Sequence, residues 1–295
     1  MHPTTTNSER KNKKVEKNIF CWYFFNFVFV FFLLFLFICS MAILPNKRRE
    51  KIVEFLKEDG SAKVAELAKL FKVTEVTVRQ DLEKLEAQGL IIREHGGAFL
   101  KDIENHVKNF SLFNQENLDK KEMIANKCLE FIESGDTIIL DSGSTTTEIA
   151  KKLVGYENLT VITNALNIAL MLGTESGIEV IMTGGEFKPP TLSLTGQKAA
   201  DFFNGLNVQK LFLATAGISL KSGLTYPSIS DLVVKKAMIN AADITYLVAD
   251  STKIGKNSFA SLGALSLIDY IVTDSGIEEK DKTLFKQNEI EVILA

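Results

Sequence analysis

Between Thr137 and Leu294 the chain carries seven short apolar runs, and no other feature constrains its fold as tightly. They are Thr137–Leu140, Thr160–Thr163, Glu179–Met182, Leu211–Thr215, Thr245–Ala249, Tyr270–Thr273 and Glu291–Leu294. Each but the last gives way to small or polar residues and then a helical stretch. Hydrophobicity that is continuous rather than alternating marks strands buried on both faces. Residues 120–295 therefore predict an α/β domain built on a mainly parallel sheet. In such sheets ligands bind at the C-terminal ends of the strands.

The first of those strand ends has the strongest chemical signal. T-I-I-L runs into Asp141-Ser142-Gly143-Ser144-Thr145-Thr146-Thr147 and then the helix E-I-A-K-K-L. Glycine permits close backbone approach, and hydroxyls with free N–H groups at a helix N-terminus suit a phosphate. A strand-to-helix turn with an ordinary Ser/Thr cap has the same composition, so both readings stand on this segment alone. Other strand ends add Thr163-Asn164, Thr183-Gly184-Gly185, Ala216-Gly217 and Asp250-Ser251-Thr252-Lys253. Lys253 is either the point charge for a phosphate or a surface lysine.

Residues 45–101 predict a smaller, separate domain. Ile52, Val53, Phe55 and Leu56 follow helical spacing up to Gly60, and Val64, Leu67, Ala68 and Phe71 share one face of a second helix. Lys72-Val73 makes a turn and Thr74 caps a third helix, on which Val76, Val78, Leu82 and Leu85 are apolar. Thr77, Arg79, Gln80 and Lys84 are left to face outward. Two short helices about a tight turn, here residues 62–81, are the helix-turn-helix arrangement, though a plain helical hairpin fits as well. Leu90–Arg93 predicts a strand, and Glu94-His95-Gly96-Gly97 a turn or wing. Residues 102–119 are expected to be a linker.

The full string V-A-E-L-A-K-L-F-K-V-T-E-V-T-V-R-Q-D-L-E-K-L-E-A-Q-G-L-I-I-R-E-H-G-G-A resembles the winged helix-turn-helix of the DeoR family of bacterial transcription regulators. By that resemblance Thr74, Thr77, Arg79, Gln80 and Lys84 face DNA, while Arg93 and His95 lie near the wing. The family commonly has two adjacent arginines where this chain has Arg79-Gln80. Arginine reads guanine and glutamine reads adenine, so the family's operator sequence cannot simply be carried over. In order along the chain, I-I-L-D-S-G-S-T-T, T-V-I-T-N-A-L-N-I-A, T-G-G, G-L-T and V-K-K-A-M…A-D-S-T-K-I-G…I-V-T-D resemble the family's effector domain.

That resemblance implies a sensor similar in fold to ribose-5-phosphate isomerase that takes a phosphorylated sugar. Its effector-binding residues would be Asp141, Ser142, Gly143, Ser144, Thr145, Thr163, Asn164, Gly184, Gly185, Gly217, Lys235 and Lys253. The family often has Lys-Arg at Lys235-Lys236 and an acid at Ser219. The implied function is a repressor of sugar-metabolism genes, acting in the cytoplasm on double-stranded operator DNA and carrying no cofactor. The competing reading is a sugar-phosphate isomerase with an accessory DNA-binding head. Isomerisation needs a positioned base, usually a carboxylate. The strand end where such enzymes place their acids reads T-A-G-I-S, Thr215–Ser219, and has none.

Three cysteines (Cys21, Cys39, Cys128) and three histidines (His2, His95, His106), none at ligand spacing, argue against a disulfide framework or a zinc site. Residues 46–101 carry 12 basic and 10 acidic side chains, a modest excess for a DNA binder, so a homo-oligomer presenting two heads is expected. Residues 1–44 form a separate hydrophobic leader. Ile19–Ile38 is apolar except for Asn26 and holds nine of the 21 phenylalanines, the length of a bilayer-spanning helix. Basic residues flank it on both sides and give no orientation. It reads as an extension upstream of a true start at Met41, or as an anchor leaving the DNA-binding domain in the cytoplasm.

Overall fold

The structure is a computed structural model that describes residues 44–59, 61–94, 96–101 and 116–295. The leader, His95 and most of the expected linker lie outside the described residues. Three helices and a small sheet form the head: α1 (Pro45–Asp59), β1 (Ser61–Lys63), α2 (Val64–Phe71), α3 (Glu75–Ala87), β2 (Ile91–Glu94) and β3 (Gly97–Leu100). α2 buries Val64, Leu67, Ala68 and Phe71, the face its spacing predicts. It stops where Lys72 turns left-handed, at φ 52°, and sends its N–H back to the last turn. Thr74 then caps α3, its Oγ1 accepting the Thr77 N–H at 3.2 Å.

α3 buries Val78, Leu82 and Leu85 toward the head core, where Ile52, Phe55 and Leu56 of α1 are also buried. Val76, grouped with them by hydrophobicity, lies on the outer face and is 60% exposed. The sheet has the order β1-β3-β2, all antiparallel. β1 was not anticipated from sequence, and the strand expected at Leu90 starts one residue later. Gly97 allows β3 to press against β1, because a Cβ there would meet the Ala62 carbonyl oxygen at 2.7 Å.

The sensor opens with α4 (Leu118–Cys128), two residues inside the expected linker, followed by β4 (Thr137–Leu140) and α5 (Ser144–Leu153). Next come β5 (Leu159–Thr163), α6 (Leu166–Leu172), β6 (Ile178–Met182) and the hairpin β7 (Glu186–Lys188) with β8 (Ser193–Thr195). The chain continues through α7 (Gln197–Asp201), β9 (Val208–Leu213), β10 (Gly217–Ser219), β11 (Gly223–Tyr226), α8 (Ser230–Ala241) and β12 (Ala242–Val248). It ends with β13 (Ala260–Gly263), β14 (Tyr270–Thr273), α9 (Glu279–Gln287) and β15 (Glu291–Leu294). The seven apolar runs all become strands of one sheet, order β15-β14-β12-β9-β4-β5-β6. Every pairing in it is parallel.

Both faces of that sheet are covered, which is why the runs do not alternate. Ile138, Leu140, Val161 and Phe212 pack with Ile124, Ile149 and Ile168 of α4, α5 and α6 on one side. Ile139, Ile162, Leu211 and Leu247 pack with Ala199, Met238 and Phe285 of α7, α8 and α9 on the other. Each such Leu, Ile or Phe contributes about 1.5–3 kcal/mol by leaving water. A second sheet, β10-β11-β13, is antiparallel.

Candidate functional site

Strand order reverses at β4. From there β5 and β6 extend the sheet to one side, while β9, β12, β14 and β15 extend it to the other. Such a switch point opens a crevice at the carboxyl ends of the two adjoining strands. Asp141 directly follows β4 and is fully buried. Its carboxylate accepts two bonds from the Lys235 ammonium of α8, at 2.6 and 2.7 Å, and one from the Ala214 N–H beyond β9, at 3.1 Å. Burial pushes the carboxyl pKa up, against the Lys235 charge and these bonds. The Lys235 Nζ also sits 4.7 Å from the centre of the Tyr226 ring. Burial and then the Asp141 charge hold the Tyr226 phenol well above its ordinary range.

Beside this pair, Asp141-Ser142-Gly143 leads into α5, whose N-terminus has no side-chain cap. The first-turn N–H groups of a helix lack partners within it and carry partial positive charge. Gly143 fits because a Cβ would lie 2.5 Å from the Ala214 Cβ. The Thr146 and Thr147 hydroxyls donate to the Gly143 carbonyl, at 3.0 and 2.7 Å, and fix the turn. Ser144 and Thr145 occupy the opening turn. The Ser142 N–H is directed instead to Asn164 Oδ1, at 3.1 Å, and Asn164 Nδ2 donates to the Leu194 carbonyl. Asn164 thus ties the ends of β4 and β5 together.

Sequence reasoning also missed a buried cation on α4, a helix that packs against α5. Lys121 of α4 is 4% exposed. Burial, then the charge of Lys253, lower its pKa, while Asp250, Glu116 and Glu148 pull it back. Asp250 caps the turn holding Lys253 by accepting the Thr252 N–H at 3.0 Å. Lys188 of β7 and Asp231 of α8 form a second buried pair at 2.7 Å, also unforeseen. Among the described residues, no group of three His, Cys, Asp or Glu side chains is placed to hold a metal ion.

Other expected positions have structural partners. The Thr163 hydroxyl, fully buried, donates to the Leu140 carbonyl at 2.7 Å and accepts the Ala165 N–H at 3.0 Å. The Gly217 carbonyl accepts the Thr215 and Thr225 hydroxyls at 3.1 and 3.0 Å. Gly184 and Gly185 both take positive φ in the turn after β6, and a Cβ on Gly185 would lie 2.7 Å from the Thr195 carbonyl oxygen.

On the head, Arg79, Gln80 and Lys84 lie exposed along α3 with Val76. Arg79 is paired to Glu75 at 2.7 Å, and Arg93 to Glu83 at 3.3 Å and Glu86 at 3.7 Å. The Thr74 and Thr77 hydroxyls bond to each other at 2.9 Å. Asp81, on the same helix, is buried against Arg49 at 3.2 Å, a pair that its polar neighbours in sequence conceal.

Residues 48–104 match the DeoR-like helix-turn-helix domain, and residues 116–275 match the DeoR C terminal sensor domain, more than half of the chain. The chain belongs to the DeoR family of transcription regulators. This DeoR-family regulator is 35% identical over 250 residues to the uncharacterized HTH-type transcriptional regulator YulB of Bacillus subtilis, covering 85% of this chain and 96% of that one. It is 31% identical over 230 residues to the glycerol-3-phosphate regulon repressor of Escherichia coli, covering 78% and 91% respectively. Among solved structures, ribose 5-phosphate isomerase A of Methanocaldococcus jannaschii aligns at 14% identity and a TM-score of 0.36, over 47% of this chain and 55% of that one. In the regulator, T-V-R-Q-D-L falls on α3 of the head, and D-S-G-S-T-T on the switch point of the sensor.

Proposed function

We propose that the protein is a repressor of sugar-metabolism genes whose affinity for operator DNA is set by a phosphorylated sugar held at the sheet switch point. The observation that carries this reading is the N-terminus of α5, without a side-chain cap, at the sheet switch point beside the buried Asp141–Lys235 pair. Anions bind where unpaired N–H groups, a helix dipole and ammonium groups converge. The buried Asp141–Lys235 pair then anchors the strand end on which that N-terminus stands. A relative named as the glycerol-3-phosphate regulon repressor supports a phosphorylated effector.

Regulation is favoured over catalysis by how Asp141 is held. All three of its bonds are to protein donors, Lys235 and the Ala214 N–H, rather than left for a substrate proton. The protein would act in the cytoplasm as a homo-oligomer, with domains at 45–101 and 120–295, so that two heads double the phosphate contacts with DNA. Calorimetric titration with a sugar-phosphate panel and the matching unphosphorylated sugars tests the effector. A sugar phosphate should bind and its parent sugar should not, and Lys253→Ala should weaken the binding. Equal affinity for the two forms would exclude a phosphate sensor.

A further inference from the structure

The DNA-binding head touches the sensor at the residues just before β13. Phe259 packs its ring on Phe71, at the end of α2, with centroids 5.5 Å apart. The hydroxyl of the adjacent Ser258 donates to Glu54 of α1 at 3.4 Å. Phe71 is a core residue of the head, 5% exposed, whereas Phe259 is half-buried and belongs to a sensor turn. An aromatic ring from one domain therefore sits against the helix that precedes the recognition helix.

The same turn connects to the effector crevice by consecutive bonds. Asp141 accepts the Ala214 N–H at 3.1 Å, and the Ala214 carbonyl accepts the Tyr226 hydroxyl at 2.7 Å. The Tyr226 ring faces the Lys235 ammonium. Next to it in β11, the Thr225 carbonyl accepts the Ala216 N–H at 3.2 Å, and the Thr225 hydroxyl accepts the Ser258 N–H at 2.9 Å. β11 also pairs with β13, Tyr226 opposite Ala260, across a register irregularity between Leu224 and Thr225. One strand thus has one side chain on the buried Asp141–Lys235 pair and the next on the turn that holds the head.

We propose that Ser258 and Phe259 form the surface on which the sensor holds its own DNA-binding head, and that β11 reports the state of the Asp141–Lys235 pair to it. A group that draws Lys235 or Asp141 toward itself alters the bonds on Ala214 and the contact on Tyr226. β11 shifts with them, and Thr225 moves Ser258 and Phe259 relative to Phe71 and Glu54. Coupling of this kind is carried by an element that both sites bias, and β11 presents Tyr226 to one and Thr225 to the other. The proposal does not depend on which ligand enters the crevice.

Linkage makes the coupling readable from the DNA end. The probe is a duplex selected from a random-sequence library on the wild-type full-length chain. The readout is amide hydrogen exchange at Ala214 and Ser258, with and without that duplex. In the wild type the duplex should change exchange at both amides by about fivefold or more, the lower end of common coupling factors. Phe259→Ala and Thr225→Val should still bind the duplex, and in both the change at Ala214 should disappear. Thr225→Val keeps the shape of the side chain and decides the matter if Phe259→Ala fails to fold. An unchanged response at Ala214 in Thr225→Val, or no response in the wild type, would overturn the proposal. Neither result bears on whether a sugar phosphate binds, so the two readings fail separately.

Discussion

Asp274, at the end of β14, is held in its charged form by four donors. Its oxygens accept the Ser251 N–H at 2.7 Å, the Ser251 hydroxyl at 2.9 Å, the Gly276 N–H at 3.0 Å and the Lys120 ammonium at 3.1 Å. Burial pushes its pKa up, but these bonds together outweigh burial and hold it below the usual carboxylate range. A carboxylate depressed on folding stabilises above its unfolded pKa, and that contribution is lost as pH falls through the folded value. Asp274→Asn should therefore cost about 1–3 kcal/mol at neutral pH, and the gap from wild type should narrow below about pH 4. Urea melts across that range check the sign. Lys235→Met should do more, because it strands a buried charge on Asp141: about 3–5 kcal/mol lost, with most of it restored by adding Asp141→Leu. At the other end of the chain, Arg79→Ala should weaken operator binding by about 1–3 kcal/mol, as loss of a base contact does. A gel shift with a selected duplex measures it, and wild-type affinity would remove Arg79 from the DNA-reading face.

At the scale of elements, the turn between β4 and α5 is tightly constrained. Gly143→Ala places a Cβ 2.5 Å from that of Ala214, whose N–H is bonded to Asp141. Overpacking of this kind costs about 1–3 kcal/mol. The expected result is a lower melting temperature together with weaker sugar-phosphate binding, read by thermal shift with and without ligand. This turn was legible in the sequence because its chemistry is local: T-I-I-L, then Gly, then hydroxyls, then a helix. The seven strands were legible for a related reason, since burial on both faces writes itself as unbroken runs. β1 was not, because Ser61-Ala62-Lys63 buries only Ala62 and three residues show no period. The Lys188–Asp231 pair spans 43 positions and Lys120–Asp274 still more, and nothing near either residue marks its partner. Asn164, expected at the ligand, is used to orient Ser142. Sequence placed it at the right edge but could not show that its amide is already bonded.

At the scale of the whole molecule, charge is divided unevenly. Residues 102–295 carry 17 basic and 25 acidic side chains, so the sensor repels DNA while the head, with 12 and 10, attracts it only weakly. Operator affinity should therefore depend on several phosphate contacts made together, and fall steeply with salt, with a log–log slope of about −0.9 per phosphate neutralised. An effector that binds only the folded chain should raise its stability by about 2.7 kcal/mol at one hundred times Kd. To regulate, it must also bind the DNA-free and DNA-bound forms with different affinity, and DNA must then change effector affinity by the same factor. The expected factor is about 5–150, the span of ordinary allosteric coupling. The measurement is a pair of titrations on the full-length chain: sugar phosphate with and without the selected duplex, and duplex with and without sugar phosphate. The two ratios should agree, and their common sign says whether the ligand releases the operator or secures it. A ratio of one in both would leave a sensor that binds a sugar phosphate without controlling the head.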